Sequence, residues 1–250
     1  MRILLTNDDG IRSEGLVALE KIARSISDDI WICAPEMDQS CLSNSLTMYK
    51  SLSCRMVRDR CFAVRGTPVD CVIIALHQLS DKKPDLILSG VNIGTNTANH
   101  IAYSGTLAAA FEGSLQGISS LALSQAYVDE KMIPWEVSKK FAPNIIDQLL
   151  KLNVPKTTLF NINFPSCKPE KVVKAIMTEQ GNPCFSIDAK KVPKDSDLAH
   201  YKLEFNDHLE NLCNKSDAFA IKNNMISITP IKTNITDYDS KNNIDIPIKI

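Results

Sequence analysis

The chain has 250 residues, 44% of them hydrophobic, and a formal net charge of −1. That length suits one large α/β domain or a core with a smaller appendage, and the near-zero charge gives no electrostatic footprint for a nucleic-acid polymer. No apolar run approaches a bilayer-spanning length, and no basic-then-apolar leader opens the sequence, so a cytoplasmic protein without membrane contact is expected.

The rest of the chain is organised around residues 1–10. Ile3-Leu4-Leu5 is uninterrupted apolar sequence, the pattern of a strand buried on both faces of a parallel sheet. It runs directly into Asn7-Asp8-Asp9-Gly10. Adjacent carboxylates repel, and burying either one unpaired is costly. The pair therefore calls for a cation, a divalent metal first of all; a plain acidic turn is the alternative. Gly10 allows a sharp turn, and Ser13-Glu14-Gly15-Leu16 reads as a helix entry. Leu16, Leu19, Ile22 and Ala23 carry the helical period over 15–26.

Residues 29–34 form the second buried strand, closed by Pro35; the short β-α-β spacing implies parallel strands with a right-handed crossover. The polar loop 36–45 then leaves a strand end beside the first. Its hydroxyls, Ser40 among them, either reach the Asp8-Asp9 site or simply make solvated turns. Runs at 52–57 and 61–64, split by Arg58-Asp59-Arg60, read as a hairpin. Thr67 is placed to cap a helical run through residue 79, with Pro68 at its first position.

A buried strand at 84–89 leads into Gly90-Val91-Asn92-Ile93-Gly94-Thr95-Asn96. Its glycines allow close backbone approach, and Asn92 and Asn96 offer neutral oxygen ligands or donors. Ser104-Gly105-Thr106 then opens an Ala-rich helix. Free amides and the helix dipole make that turn an anion seat, with ordinary capping and tight packing as the alternative. A strand at 120–124, an amphipathic helix over 135–152 and a strand at 158–162 complete the pattern, ending at Asn163-Phe164-Pro165. Beyond it, 167–217 is polar, lysine-rich and weakly patterned, with strand-like runs at 172–177 and 225–229 and a polar ending over 237–250. This divides the chain into a core, 1–165, and an extension, 166–250, that serves subunit contacts and not the metal site.

The eight cysteines include no Cys-x-x-Cys pair and read as reduced, mostly core residues. The four histidines show no zinc-site spacing. The chain also lacks Gly-x-Gly-x-x-Gly, a P-loop and Gly-x-Ser-x-Gly, which argues against dinucleotide enzymes, P-loop NTPases and serine-triad hydrolases.

Five loops in order resemble the SurE family of survival-protein nucleotidases. They are Leu4-Leu5-Thr6-Asn7-Asp8-Asp9-Gly10; Ala34-Pro35 with Gln39-Ser40-x-x-Ser43; Gly66-Thr67-Pro68 with Asp70-Cys71-Val72; Ser89-Gly90-Val91-Asn92-x-Gly94-x-Asn96; and Tyr103-Ser104-Gly105-Thr106 through Glu112-Gly113. Asn161-Ile162-Asn163-x-Pro165 and Ser227-Ile228-Thr229-Pro230 are weaker echoes. The resemblance implies an α/β fold with a Rossmann-like, mostly parallel sheet flanked by helices, and a C-terminal extension used in oligomerisation. It implies a 5′-nucleotidase, a divalent-metal phosphatase acting on nucleoside 5′- and 3′-monophosphates, with short-chain polyphosphate as a further substrate.

By position, the resemblance makes Asp8, Asp9, Ser40 and Asn92 the ligands of one magnesium or manganese ion per subunit. Asn96, Ser104, Gly105 and Thr106 fall where the family holds phosphate, and Asp8, Asp9 and Asn96 are the catalytic set. A homodimer or homotetramer is implied by segment exchange. Two departures stand out: Cys41 replaces the glycine that usually follows the ligand serine, and Thr97-Ala98-Asn99-His100-Ile101-Ala102 lacks the family's Gly and Asp. The all-oxygen ligand set suits magnesium, manganese or calcium. The rival readings are a haloacid-dehalogenase-like phosphotransferase, whose Asp-x-Asp pattern is absent, and a non-enzymatic nucleotide sensor.

Overall fold

The structure is a computed structural model, and it describes residues 1–79, 81–182, 185–193, 198–208 and 210–239. Cys184 and most of the polar ending, 240–250, lie outside the described residues. Strand β1 (Arg2–Thr6) is buried throughout, as its apolar run requires. It leads through Ser13, whose hydroxyl caps the Leu16 N–H, into helix α1 (Glu14–Arg24). Strand β2 (Asp29–Pro35) returns parallel to β1, and the hairpin β3 (Cys54–Arg58) and β4 (Cys61–Val64) extends that side.

Helix α2 (Pro68–Ile74) continues as a π-helical turn over Ala75–Leu79. Strand β5 (Leu86–Ile93) runs past the point expected for its end, because Asn92 and Ile93 pair with the next strand after a register shift. Helix α3 (Gly105–Leu115), strand β6 (Ser119–Gln125), helix α4 (Trp135–Leu150) and strand β7 (Thr158–Phe164) follow.

The main sheet has nine strands in the order β3-β4-β2-β1-β5-β6-β7 and then two more from beyond residue 165. Strand β11 (Ile226–Lys232) lies antiparallel to β7, and β8 (Ala175–Met177) lies parallel on its far side. Residue 165 is thus no break in the sheet. The strand-like run at 172–177 shrinks to the short edge strand β8, and the weakly patterned region contains an unforeseen hairpin, β9 (Phe185–Val192) with β10 (His200–Asp207). A further short helix, α5 (Asp217–Lys222), packs on β11 and β7.

α1 and α4 cover one face of the sheet, with Leu19, Ile22 and Ile146 fully buried among β-strand side chains; Cys71, Val72 and Ala109 of α2 and α3 pack the other. The chain winds from β1 outward through β2 and β4, then crosses back to β5 and winds the other way through β6 and β7. The carboxyl ends of β1 and β5 therefore form the switch point, where open α/β sheets hold their ligands.

One polar cluster fixes the start of α2. Thr67 accepts from the Asp70 N–H, while the Asp70 carboxylate accepts from the Thr67 N–H at 2.8 Å and from the Thr47 N–H and hydroxyl at 3.0 and 2.7 Å. Asp70 is 1% exposed, so its loss leaves buried donors without an acceptor. Asp70→Ala is expected to lower stability by about 1–3 kcal/mol, read as a lower urea midpoint at unchanged slope.

Candidate functional site

The end of β1 is built as a tight turn around side chains. Asn7 donates to the Gly10 carbonyl at 3.0 Å and to Ser13 Oγ at 2.7 Å, and Gly10 has φ 96°. This folds Asp8 and Asp9 back over the strand ends. Asp8 is 4% exposed. Burial pushes its carboxyl up, and the Thr106 hydroxyl, donating to Oδ1 at 2.6 Å, and the Thr106 N–H partly offset this. Burial and then the neighbouring Asp8 push Asp9 up to about 7.

Several buried oxygen atoms at this sheet end have no hydrogen-bond partner among the described residues: Asp9 Oδ2, Asn7 Oδ1, Thr6 Oγ1 and Ser89 Oγ. Thr6 and Ser89 are register partners of β1 and β5. A buried carboxylate oxygen and a buried amide oxygen without donors, beside two hydroxyls whose lone pairs are open, are a donor set that fits a bound cation. Among the described residues no group of three or more His, Cys, Asp and Glu side chains could hold a metal ion. An ion held here must therefore use hydroxyl and amide oxygens alongside the two carboxylates.

The other predicted ligands converge on the same cavity, of about 660 Å³, lined by Asp8, Ser40, Asn92, Asn96 and Ser104. The loop after β2 is drawn in by the Gln39 N–H, which donates to the Asp8 carbonyl at 2.8 Å, and by the Ser43 hydroxyl, which donates to the Ala102 carbonyl at 2.8 Å. Ser40 itself donates to Asp38, a carboxylate that raises the pKa of both Asp8 and Asp9 by repulsion. Asp38 is the acid that sequence reasoning missed; it was legible only as one polar residue in a polar loop. Asn92 donates its amide N–H groups to the Ile93 and Gly94 carbonyls at 3.2 and 2.9 Å, which leaves Oδ1 as the cavity-side oxygen.

At the start of α3, Ser104 caps the helix by accepting the Leu107 N–H. Gly105 lets this helix end press against the acids: a Cβ there would stand 2.8 Å from the Asp8 Cβ. Thr106 is fully buried with its hydroxyl proton committed to Asp8, so it orients that acid. Asn96 is 6% exposed and donates to Ser124 Oγ at 2.9 Å. The cavity is also lined by the rings of His100, Tyr103, Tyr127 and Phe205. His100 lies 4.0 Å centroid to centroid from Phe185, and Phe185 4.9 Å from Phe205, so the hairpin β9–β10 supplies part of this wall.

The survival protein SurE family matches residues 3–186. This chain belongs to the SurE family. It is 46% identical over 240 residues to the 5′-nucleotidase SurE of Allorhizobium ampelinum, covering 95% of this chain and 94% of that one. It is 48% identical over 247 residues to the 5′-nucleotidase SurE of Rhizobium rhizogenes, covering 98% and 96%. The crystal structure of the SurE protein from Aquifex aeolicus superposes with a TM-score of 0.85 at 31% identity, over 98% of both chains. The expected α/β class and mostly parallel, helix-flanked sheet are those of that SurE structure.

The Thr106–Asp8 bond gives a direct test of this site's construction. Thr106→Val keeps the shape and removes the donor. It is expected to cost about 1–3 kcal/mol in chemical unfolding, a loss too large for a hydroxyl that merely faced solvent.

Proposed function

We propose that this SurE-family chain is a divalent-metal-dependent phosphatase that hydrolyses nucleoside 5′- and 3′-monophosphates to nucleoside and phosphate, with short-chain polyphosphate as a further substrate. The observation that carries the reading is the Asp8-Asp9 pair at the switch point of the sheet, with Asp8 buried and Asp9 half-buried, and with the buried Asp9 Oδ2 lacking a hydrogen-bond partner among the described residues. The relatives named 5′-nucleotidase SurE support it.

Asp8, Asp9, Ser40 and Asn92 are the residues that would hold one magnesium or manganese ion. When bound, that ion polarises the phosphoryl group and acidifies a bound water. Asn96 and the Ser104-Gly105 helix start hold the phosphate oxygens, using an amide, a hydroxyl and the positive end of the helix dipole. Thr106 fixes the rotamer of Asp8. Water adds at phosphorus, the ester P–O bond breaks, and the nucleoside departs with its hydroxyl. The ring-lined part of the cavity is suited to a stacked base. Nothing here selects one base over another.

The direct experiment is hydrolysis of a nucleotide panel and p-nitrophenyl phosphate with manganese, with magnesium and with EDTA. Turnover that EDTA abolishes and manganese restores is expected. Binding of nucleotide without turnover under any of these conditions would favour the sensor instead.

Two further outcomes follow from the acidic pair and from the hairpin. Asp9→Asn relieves repulsion between buried acids, so it should raise the thermal midpoint of the EDTA-treated protein. The parent should gain roughly 5–10 °C at manganese near 100 times its Kd, and the Asp9→Asn variant little or nothing; equal gains would remove Asp9 from the ligand set. The hairpin β9–β10 exposes Tyr201, Leu203 and Ile187, and two strands alone are marginally stable. These exposed apolar side chains support a homodimer or homotetramer that buries them against a second chain. Light scattering should give a dimer or larger, shifted toward monomer by Leu203→Lys with Tyr201→Lys; a monomeric parent at micromolar concentration would refute this.

A further inference from the structure

The segment from Asn96 to Ala98 is buried, yet its main chain is held largely by side chains. The Asn96 N–H donates to Asn163 Oδ1 at 2.8 Å. The Asn96 carbonyl accepts from Asn161 Nδ2 at 2.7 Å and from Asn163 Nδ2 at 3.3 Å. The Ala98 N–H donates to Asp217 Oδ2 at 2.9 Å, and the Ala98 carbonyl accepts from Gln180 Nε2 at 2.9 Å. Both polar groups of both residues are thus satisfied from β7, from the stretch after β8 and from the first residue of α5.

The holding residues are themselves fixed. Asn161, Asn163 and Asp217 are 0% exposed. Asp217 accepts two more N–H groups, from Gly181 at 3.0 Å and Ala218 at 2.7 Å. Ala98 has φ 49°, a left-handed conformation that an alanine adopts only when its surroundings impose it. Such a set of bonds over-determines where the Asn96 side chain stands, and Asn96 lines the cavity beside Asp8 and Ser104.

We propose that Asn161, Asn163 and Asp217 are positioning residues that aim Asn96 at the phosphoryl group, so that β7 and, through Asp217, the last third of the chain take part in turnover without touching the metal. The proposal rests on the phosphatase reading above. It separates two chemical tasks. The ion is held by loops after β1 and β2 and by the end of β5, and the phosphate contact at Asn96 is set from β7 and α5. A displacement of about 1 Å at such a contact is enough to cost on the order of 100-fold in rate.

The paired variants Asn161→Asp and Asn163→Asp keep the side-chain shape and make opposite predictions. Asn163→Asp retains the oxygen that accepts the Asn96 N–H, loses the longer donor and sets its second oxygen at the longer distance, 3.3 Å, from the Asn96 carbonyl. Asn161→Asp loses the 2.7 Å donor and turns an oxygen against the Asn96 carbonyl. With manganese, Asn161→Asp, Asn161→Ala and Asn163→Ala should lower kcat on p-nitrophenyl phosphate about 10- to 100-fold, and Asn163→Asp should recover to within about 5-fold of the parent. Asp217→Asn, which keeps one acceptor oxygen, should fall between them. Manganese affinity, measured by titration without substrate, should stay within about twofold of the parent in all five.

Loss of manganese affinity in step with kcat would overturn the proposal in favour of general structural support. So would equal losses in the two Asp variants, or turnover of Asn161→Ala and Asn163→Ala within twofold of the parent. A parent inactive on every phosphate ester offered would instead bring down the phosphatase reading, and this inference with it. Where the alanine variants fail to fold, the contrast between the two isosteric variants carries the decision.

Discussion

Two carboxylates on consecutive residues, folded back over the end of a buried strand, are the constraint to which the rest of the molecule answers. Each is costly to bury charged, and each makes the other costlier. The fold answers Asp8 with the hydroxyl and N–H of Thr106 at a helix start. It leaves Asp9 with an oxygen that nothing among the described residues satisfies. A chain selected for stability alone would place an arginine there, as it does elsewhere: Asp29 meets Arg2 and Arg60, and Glu36 meets Arg55 and Arg65. The negative charge left unbalanced at Asp9 is of the kind that a divalent ion meets with coordination positions to spare.

Around that pair the chain arranges its loops by main-chain bonds and the start of α3 by close packing. The Gln39 N–H bonds to the Asp8 carbonyl, which brings Ser40 into the cavity. Gly105 allows the start of α3 to touch Asp8, so the positive helix end faces the same space as the acids. Asp8, Ser40 and Asn92, the ligands proposed for the cation, and Asn96 and Ser104, the groups proposed for the phosphate, line one cavity of about 660 Å³, the combination that recognition of a phosphate ester on a metal requires.

What was legible in the sequence was what depends on local pattern. The apolar run of β1, the Ser13 and Thr67 caps and the polar loops after β1, β2 and β5 all announced themselves within a few residues. The hairpin β9–β10 did not, because its strands are exposed along most of their length and show no buried alternation. β11 read as an isolated run because its partner β7 lies about one-quarter of the chain away. Asn161 and Asn163 looked like the end of a strand; their task becomes visible only when Asn96 is seen against them, 65 and 67 residues distant. Asp217 reaches Ala98 across 119 residues. No periodicity encodes a contact of that kind.

The two departures from the family pattern meet the backbone in the same way. Cys41, where the family usually has glycine, has φ 62°, and Ala98, in the altered stretch before Tyr103, has φ 49°. Left-handed backbone costs an L-residue about 1–2 kcal/mol, so both positions carry strain that glycine would avoid. At each, the surrounding bonds hold the shape: Gln39 and Ser43 flank Cys41 with bonds to Asp8, Ala102 and Tyr103, and Asp217 and Gln180 hold Ala98 on both sides. A glycine at the position of Cys41 would take up this backbone shape without that cost. Replacing it keeps the shape and moves the cost into stability. Partial desolvation, then the Asp8 and Asp38 carboxylates, push the exposed Cys41 thiol above its ordinary pKa.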